Sequence, residues 1–217
     1  MELFGHPFSS YTWKALIALV ENDTPFTFRN VDPAEPDNGA ELKRRWPVGK
    51  FPVLVDADRQ IMEATSIIEY LDVAHRGATR FIPDDVEAAC EVRMLDRIFD
   101  NHVMSVMQEI VNDRLLPVER KDPTRVEQAR ARLDTIYDWL NERMTSRVWA
   151  CNDAFSMADC AAAPSLFYAD WVHPNGERFP AFAAYRARLL ARPSISRVVD
   201  GARPYRHYFP GGAPDRD

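Results

Sequence analysis

HPFSSYTWKALIAL, residues 6–19, begins like the end of a strand and finishes as the first turns of a helix. Apolar Trp13, Leu16, Ile17 and Val20 recur at helical spacing, so the helix runs to about Glu21. Between strand and helix stand the hydroxyls of Ser9, Ser10, Tyr11 and Thr12. A helix start leaves backbone N–H groups without partners. Hydroxyls placed there either cap those groups or join them in holding something negatively charged.

The segments around this turn set the order of elements. MELFGH reads as a short strand before it. PFTFRNVD alternates from Phe26 to Val31 and reads as a second strand. A polar, Pro-rich stretch follows, with about one helical turn near Glu41 to Arg45. FPVLVD, the turn ADR and the return QIME read as a β-hairpin. TSIIEYLDVAH is an amphipathic helix opened by Thr65 or Ser66. The order is βαβ, then ββα, which makes a mixed sheet with helices against it.

RGATRFIPDD, polar and carrying a proline, links this region to one of another kind. After it come helical stripes: Met94 to Val111 through Phe99, Val103 and Met107, then Val126 to Met144. MADCAAAPSLFYADWV is apolar nearly all round, the mark of a buried central helix. Ser156 and Asp159 open it as a capping box and are read as structural. A last helix covers about Ala181 to Leu190, followed by a disordered-looking tail, PGGAPDRD. The expected domains are 1–76 (α/β), a linker at 77–86 and an all-α domain at 87–217.

The chain has 217 residues, of which 46% are apolar and 28% charged, a composition that supports a sizeable core and a charged surface. The net charge of −6 argues against nucleic acid as the main partner. No apolar run approaches the ~18 residues of a membrane span, and MELFGHPF lacks the features of a secretion signal, so a cytoplasmic protein is expected. Cys90, Cys151 and Cys160 form no C-x-x-C pair, and His6, His75, His102, His173 and His207 are scattered. Neither a disulfide framework nor a metal site is expected.

The βαβ–ββα unit followed by helices resembles the soluble, cytosolic glutathione transferases, a thioredoxin-like domain joined to a helical bundle. Four segments carry the resemblance in the expected order: PFSSYTWKALIAL, GKFPVLVD, MEATSIIEYL and FSMADCAAAPSLFYADWV. The first resembles the turn that holds a catalytic Ser or Cys. Aligning KALIAL with the corresponding run of the serine-type classes puts Ser9 at the catalytic place, with Ser10 and Thr12 as the other candidates. The hydroxyls stand where redox relatives carry C-x-x-C, and dithiol exchange needs sulfur. A hydroxyl can instead donate to a bound thiolate, a bond worth ~1.5–3 kcal/mol.

By resemblance, Pro52 is the cis proline, and the backbone at Phe51 pairs with the cysteinyl part of glutathione. Glu63 holds the γ-glutamyl ammonium. The family's next residue is a serine that binds the neighbouring carboxylate; here it is Ala64, whose backbone N–H remains, with Thr65 or Ser66 beside it. Lys50 is the candidate for the glycyl carboxylate, with Arg44 and Arg45 behind it. An apolar substrate pocket is expected from Tyr11, Phe99, His102, Val103, Tyr168 and Trp171.

The resemblance implies a glutathione S-transferase with glutathione as cosubstrate, no metal, a small apolar electrophile, a role in detoxification and a homodimer. The alternatives are other glutathione-dependent chemistry (peroxidase or dehalogenase) and a non-catalytic binding protein of the same fold. Isomerisation of the maleylacetoacetate kind is disfavoured, because Tyr11 and Lys14 stand where that turn has Cys and Arg.

Overall fold

In the computed structural model, residues 1–151, 154–174 and 176–217 are described. The first domain is a four-stranded sheet in the order β2-β1-β3-β4. Its strands are β1 (Glu2–Gly5), β2 (Thr27–Asn30), β3 (Val53–Asp56) and β4 (Arg59–Met62). β1 runs parallel to β2 and antiparallel to β3, which pairs antiparallel with β4. The strand period of two divides the side chains. Leu3 and Leu54, opposite each other, face the main core, while Phe4, Val53 and Val55 face Leu42 on the other side.

Helix α1 (Ser10–Glu21) and α3 (Ala64–Ala74) pack together on the main-core face. Helix α2 (Pro36–Arg45) is a full ten residues, longer than the single turn its sequence suggested. Leu42 is its one buried residue, so no apolar stripe announces it.

The second domain is helical: α4 (Val86–Ile98), α5 (Ser105–Leu115), α6 (Pro123–Met144), α7 (Met157–Val172), α8 (Pro180–Leu190) and α9 (Pro193–Ala202). A π-helical segment, Phe99–Met104, joins α4 to α5. Helix α7 is buried along its whole length. Asp159 holds its start, accepting from the amides of Ala150 and Ser156 at 2.9 Å each and from the Tyr185 hydroxyl at 2.6 Å. Burial pushes the Asp159 carboxyl up, against those same hydrogen bonds.

Helix α9 and a 3₁₀ segment, Arg203–Tyr208, extend the chain beyond the last helix read from the sequence. The tail is tied down: Asp217 pairs with Arg203 and Arg206, and Arg216 with Asp170. The domains meet along α1 and α7, where the Trp13 ring lies 4.8 Å from Phe167 and 5.2 Å from Tyr168. Among the described residues no helix is long and apolar enough to cross a membrane.

Candidate active site

The turn after β1 is pinned peptide by peptide. The Trp13 indole N–H donates to the Pro7 carbonyl at 2.6 Å. The Tyr168 hydroxyl donates to the Phe8 carbonyl at 2.8 Å. The Ser9 amide donates to the His6 carbonyl at 2.9 Å. Ser9 is the N-cap of α1, in extended backbone, and its Oγ accepts from the Thr12 amide at 3.3 Å. That bond uses a lone pair and leaves the hydroxyl proton without an acceptor among the described residues. Ser10 is the first helical residue and lines the same cavity as Ser9.

Two cavities meet at this turn, of about 610 and 420 Å³, sharing Tyr11, Lys50 and Phe51. The larger has apolar and aromatic walls from Phe8, Met107, Val111, Tyr168 and Phe209, with Gln108 and Asn112 adding polar groups to those of Ser9, Ser10 and Lys50. The smaller is charged, with Glu63, Arg97, Asp100 and Asn101 beside Trp46 and Pro52. Phe51–Pro52 is a cis peptide. Glu63, just before α3, has φ +67°, the left-handed region that a side chain enters at a cost of about 1–3 kcal/mol. Its side chain makes no cap bond and is exposed at the cavity.

A buried ionic network floors the smaller cavity. Lys14, 1% exposed, lies 2.5 Å from Asp96 Oδ1 and 2.8 Å from Asp100 Oδ2. Arg97 contacts both carboxylates at 2.6 Å through Nη2. Burial pushes the Asp100 carboxyl up, opposed by Lys14. Burial likewise raises the Tyr11 hydroxyl, and Asp100 adds to it, so the phenol stays protonated at neutral pH. Arg97 Nη1 makes no hydrogen bond or ion pair among the described residues, and the Arg97 side chain lines the smaller cavity.

Several expectations are corrected. Thr12 is fully buried, and its hydroxyl accepts from the His6 amide at 3.4 Å, so it does not face the cavity. Phe99 and Val103 are fully buried in the core rather than in a pocket. Trp171 is packed against Phe167 and Phe209 and lines neither cavity. His102 is exposed and also lines neither. Thr65 does line the smaller cavity, but its hydroxyl is engaged by Lys14 at 2.8 Å, donates to Asp96 at 2.9 Å and meets Arg97. Arg44 and Arg45 are paired with Glu41, leaving Lys50 as the exposed cation of that loop.

Sequence reasoning missed Trp46, Arg97, Asp100 and Asn101 in the smaller cavity. It also missed Gln108, Asn112 and the C-terminal Tyr208, Phe209 and Pro210 in the larger. The π segment hides Asp100 and Asn101, because it rotates the helical register just where they turn to the site.

Comparison with known proteins gives the family. The description "Glutathione S-transferase, N-terminal domain" matches residues 3–79, and "Glutathione S-transferase, C-terminal domain" matches residues 123–188, together about two thirds of the chain. The chain belongs to the glutathione S-transferase family. Its fold is the family's: a thioredoxin-like domain followed by a helical bundle. Glutathione S-transferase F6 of Arabidopsis thaliana is 27% identical over 207 residues, covering 92% of this chain and 99% of that one. FtsZ-localized protein A of Caulobacter vibrioides is 27% identical over 220 residues, covering 95% of each. A glutathione S-transferase of Methylobacillus flagellatus, solved with glutathione bound, superposes with TM-score 0.80 at 25% identity, covering 91% of this chain and 98% of that one.

Proposed function

We propose that this chain is a glutathione transferase whose Ser9 hydroxyl stabilises the glutathione thiolate. The observation that carries this reading is the free hydroxyl proton of Ser9. It stands at a pinned helix start, beside a charged cavity and an apolar one. Glutathione, bound by the Methylobacillus relative, suits the charged cavity: Glu63 for the ammonium, and the Ala64 amide with Arg97 Nη1 for the adjacent carboxylate. The backbone at Phe51 takes the cysteinyl unit and Lys50 the glycyl carboxylate. The thiol then lies at Ser9, with Ser10 next to it.

The Ser9 hydrogen bond and the start of α1 both favour the thiolate. The sulfur attacks an apolar electrophile held between Tyr11, Tyr168 and the other walls of the larger cavity. Placement and thiolate supply provide the rate. The protein works in the cytoplasm as a homodimer, as in the family it belongs to. Peroxide reduction and reductive dehalogenation start from the same thiolate and remain the alternative chemistries.

A binding-only role is the second reading. Ala64 favours it, because the helix start lacks the hydroxyl that would hold a carboxylate. The deciding experiment measures glutathione binding by calorimetry and the ionisation of bound glutathione by thiolate absorbance, then screens apolar electrophiles. A lowered thiol ionisation with turnover supports the transferase. Glutathione bound with an unshifted thiol and no turnover supports the binding role. Absence of glutathione binding overturns both.

A further inference from the structure

His6 opens the turn that carries Ser9 and makes two contacts through its ring. The Phe8 amide donates to Nδ1 at 3.1 Å, and Nε2 lies 3.2 Å from Asp32 Oδ2. An amide N–H can only donate, so Nδ1 carries no proton, and the neutral ring holds its proton on Nε2, facing Asp32. The pair is nearly enclosed, with side chains 13% and 9% exposed.

Asp32 does more than receive His6. Its Oδ1 accepts from the Ala34 amide at 2.9 Å and its Oδ2 from the Tyr208 hydroxyl at 3.1 Å. The Ala34 amide foremost, then His6 and Tyr208, hold its carboxyl below the usual range. The His6 ring also meets Tyr205 and Tyr208 edge-on, at 4.9 and 5.3 Å between centroids. Tyr208 in turn lines the apolar cavity together with Ser9 and Ser10. One carboxylate–imidazole pair thus fixes both the turn beneath the sulfur site and the C-terminal wall of the electrophile pocket.

The Pro7–Phe8 peptide is held from both sides, its N–H by His6 and its carbonyl by Trp13, and the carbonyl of the next peptide, Phe8–Ser9, is held by Tyr168. Rotation of the Pro7–Phe8 peptide would swing Phe8 and with it Ser9. Trp13 and Tyr168 anchor the turn to the core, whereas His6 anchors it through Asp32 to the loop after β2 and to the C-terminal segment. A histidine kept only for packing would not need a specified tautomer.

We propose that His6 is a positioning residue for the thiolate-holding hydroxyl. Its Nδ1 fixes the Phe8 amide and hence Ser9, its Nε2–H is oriented by Asp32, and the same carboxylate seats Tyr208 in the wall of the electrophile pocket. This rests on the glutathione reading above.

The test has three arms. Nitrogen NMR of the wild-type protein, without glutathione, reads the tautomer directly. His6 should show an unprotonated Nδ1 and a protonated Nε2 at neutral pH; the reverse overturns the proposal. The second arm compares His6→Asn with His6→Gln. The Asn carbonyl oxygen can stand where Nδ1 stands and accept from Phe8, whereas Gln reaches Asp32 and leaves the Phe8 amide bare. His6→Asn should keep near wild-type kcat. His6→Gln should lose about ten- to a hundredfold in kcat, the scale of a small misplacement. Its bound thiol should ionise at higher pH while glutathione Kd stays within about twofold, equivalent to ~0.4 kcal/mol. Two variants that behave alike, whether both active or both impaired, refute the role of Nδ1. In the third arm, Tyr208→Phe should raise KM for the electrophile and leave thiol ionisation alone; an unchanged KM removes the link to the pocket wall. A wild type that binds no glutathione overturns the functional reading and the positioning role with it, while the tautomer result still stands as a fact of the turn.

Discussion

Replacing Ser9 by alanine separates the helix cap seen in the structure from the thiolate contact proposed for the same hydroxyl. In the free protein, Ser9 Oγ caps α1 by accepting from the Thr12 amide at 3.3 Å. Loss of an N-cap side chain costs about 0.5–2 kcal/mol, and the length of this bond places the cost near the lower end. For a chain of this size, ~1 kcal/mol lowers Tm by about 2–4 °C. In the proposed complex, the same hydroxyl would donate to the thiolate. That charge-assisted bond is worth ~1.5–3 kcal/mol, or about one to two pKa units. With a free thiol near 8.5, a one-unit shift raises the thiolate fraction at pH 7 from about 3% to roughly a quarter. Ser9→Ala should therefore slow turnover at pH 7 by about ten- to thirtyfold. The deficit should shrink as pH rises past about 9, where glutathione ionises unaided. The assay is a pH–rate profile beside the ultraviolet titration of bound glutathione, with Ser10→Ala as the comparison. If Ser9→Ala keeps the wild-type thiol ionisation and shows only the small Tm loss, the hydroxyl is a cap and the catalytic argument fails. If Ser10→Ala gives the larger shift, the site stands and the alignment of the turn is wrong.

The other predictions concern the charges around the site. Arg97→Met should weaken glutathione binding about tenfold, by loss of a charge-assisted contact, and Ala64→Ser should tighten it about two- to tenfold; calorimetric affinities unchanged in both would remove the carboxylate assignment. Lys14→Met leaves Asp96 and Asp100 buried with only Arg97 beside them, and should destabilise the protein by about 3–5 kcal/mol in denaturant titration. A loss below about 1 kcal/mol would mean that the network relaxes around the gap. Burial raises the Glu21 carboxyl, but the hydrogen bonds from Arg192 and Ser194 outweigh it, so its folded pKa is lowered. A lowered carboxylate adds stability above its unfolded value of about 4.3 and loses it as pH falls through the folded value. The Tm gap between wild type and Glu21→Gln should accordingly be open at pH 7 and close on acidification; a gap independent of pH would contradict this.

The fold was legible wherever one period dominated. Leu3, Leu54 and Val55 sit in runs of strand-forming residues, and α7 is apolar along its whole length. Helix α2 was legible only in its last turn, because Leu42 alone is buried in a segment rich in polar residues. Helix α9 carried a signal that went unread: Ile195, Val198, Val199 and Ala202 recur at helical spacing and are buried. Positions fixed by the local chain were readable: Ser9, the cis Phe51–Pro52 step and Glu63 all line the two cavities. Those fixed by distant contacts were not. Thr12 looks like its neighbours in sequence, yet it turns toward Gly5, where an added Cβ would stand 2.5 Å from its Cγ2. Only the absence of a side chain at Gly5 makes that room.

Lys14 shows why the smaller cavity could not be derived by counting charges along the chain. In sequence it is one cation on the exposed side of an amphipathic helix. In the fold it is buried with Asp96 and Asp100, and Arg97 closes the group from the cavity side. Two cations and two carboxylates balance, so the network itself attracts neither sign strongly. What remains lining the cavity is Glu63, unpaired among the described residues, the Arg97 guanidinium, and Lys50, which both cavities share. One negative group with positive ones in the same cavity suits the zwitterionic head and the second carboxylate of the proposed peptide ligand. The chain's net charge of −6 carries no information about that pattern, because selection of the ligand rests on the few charges the fold leaves unbalanced.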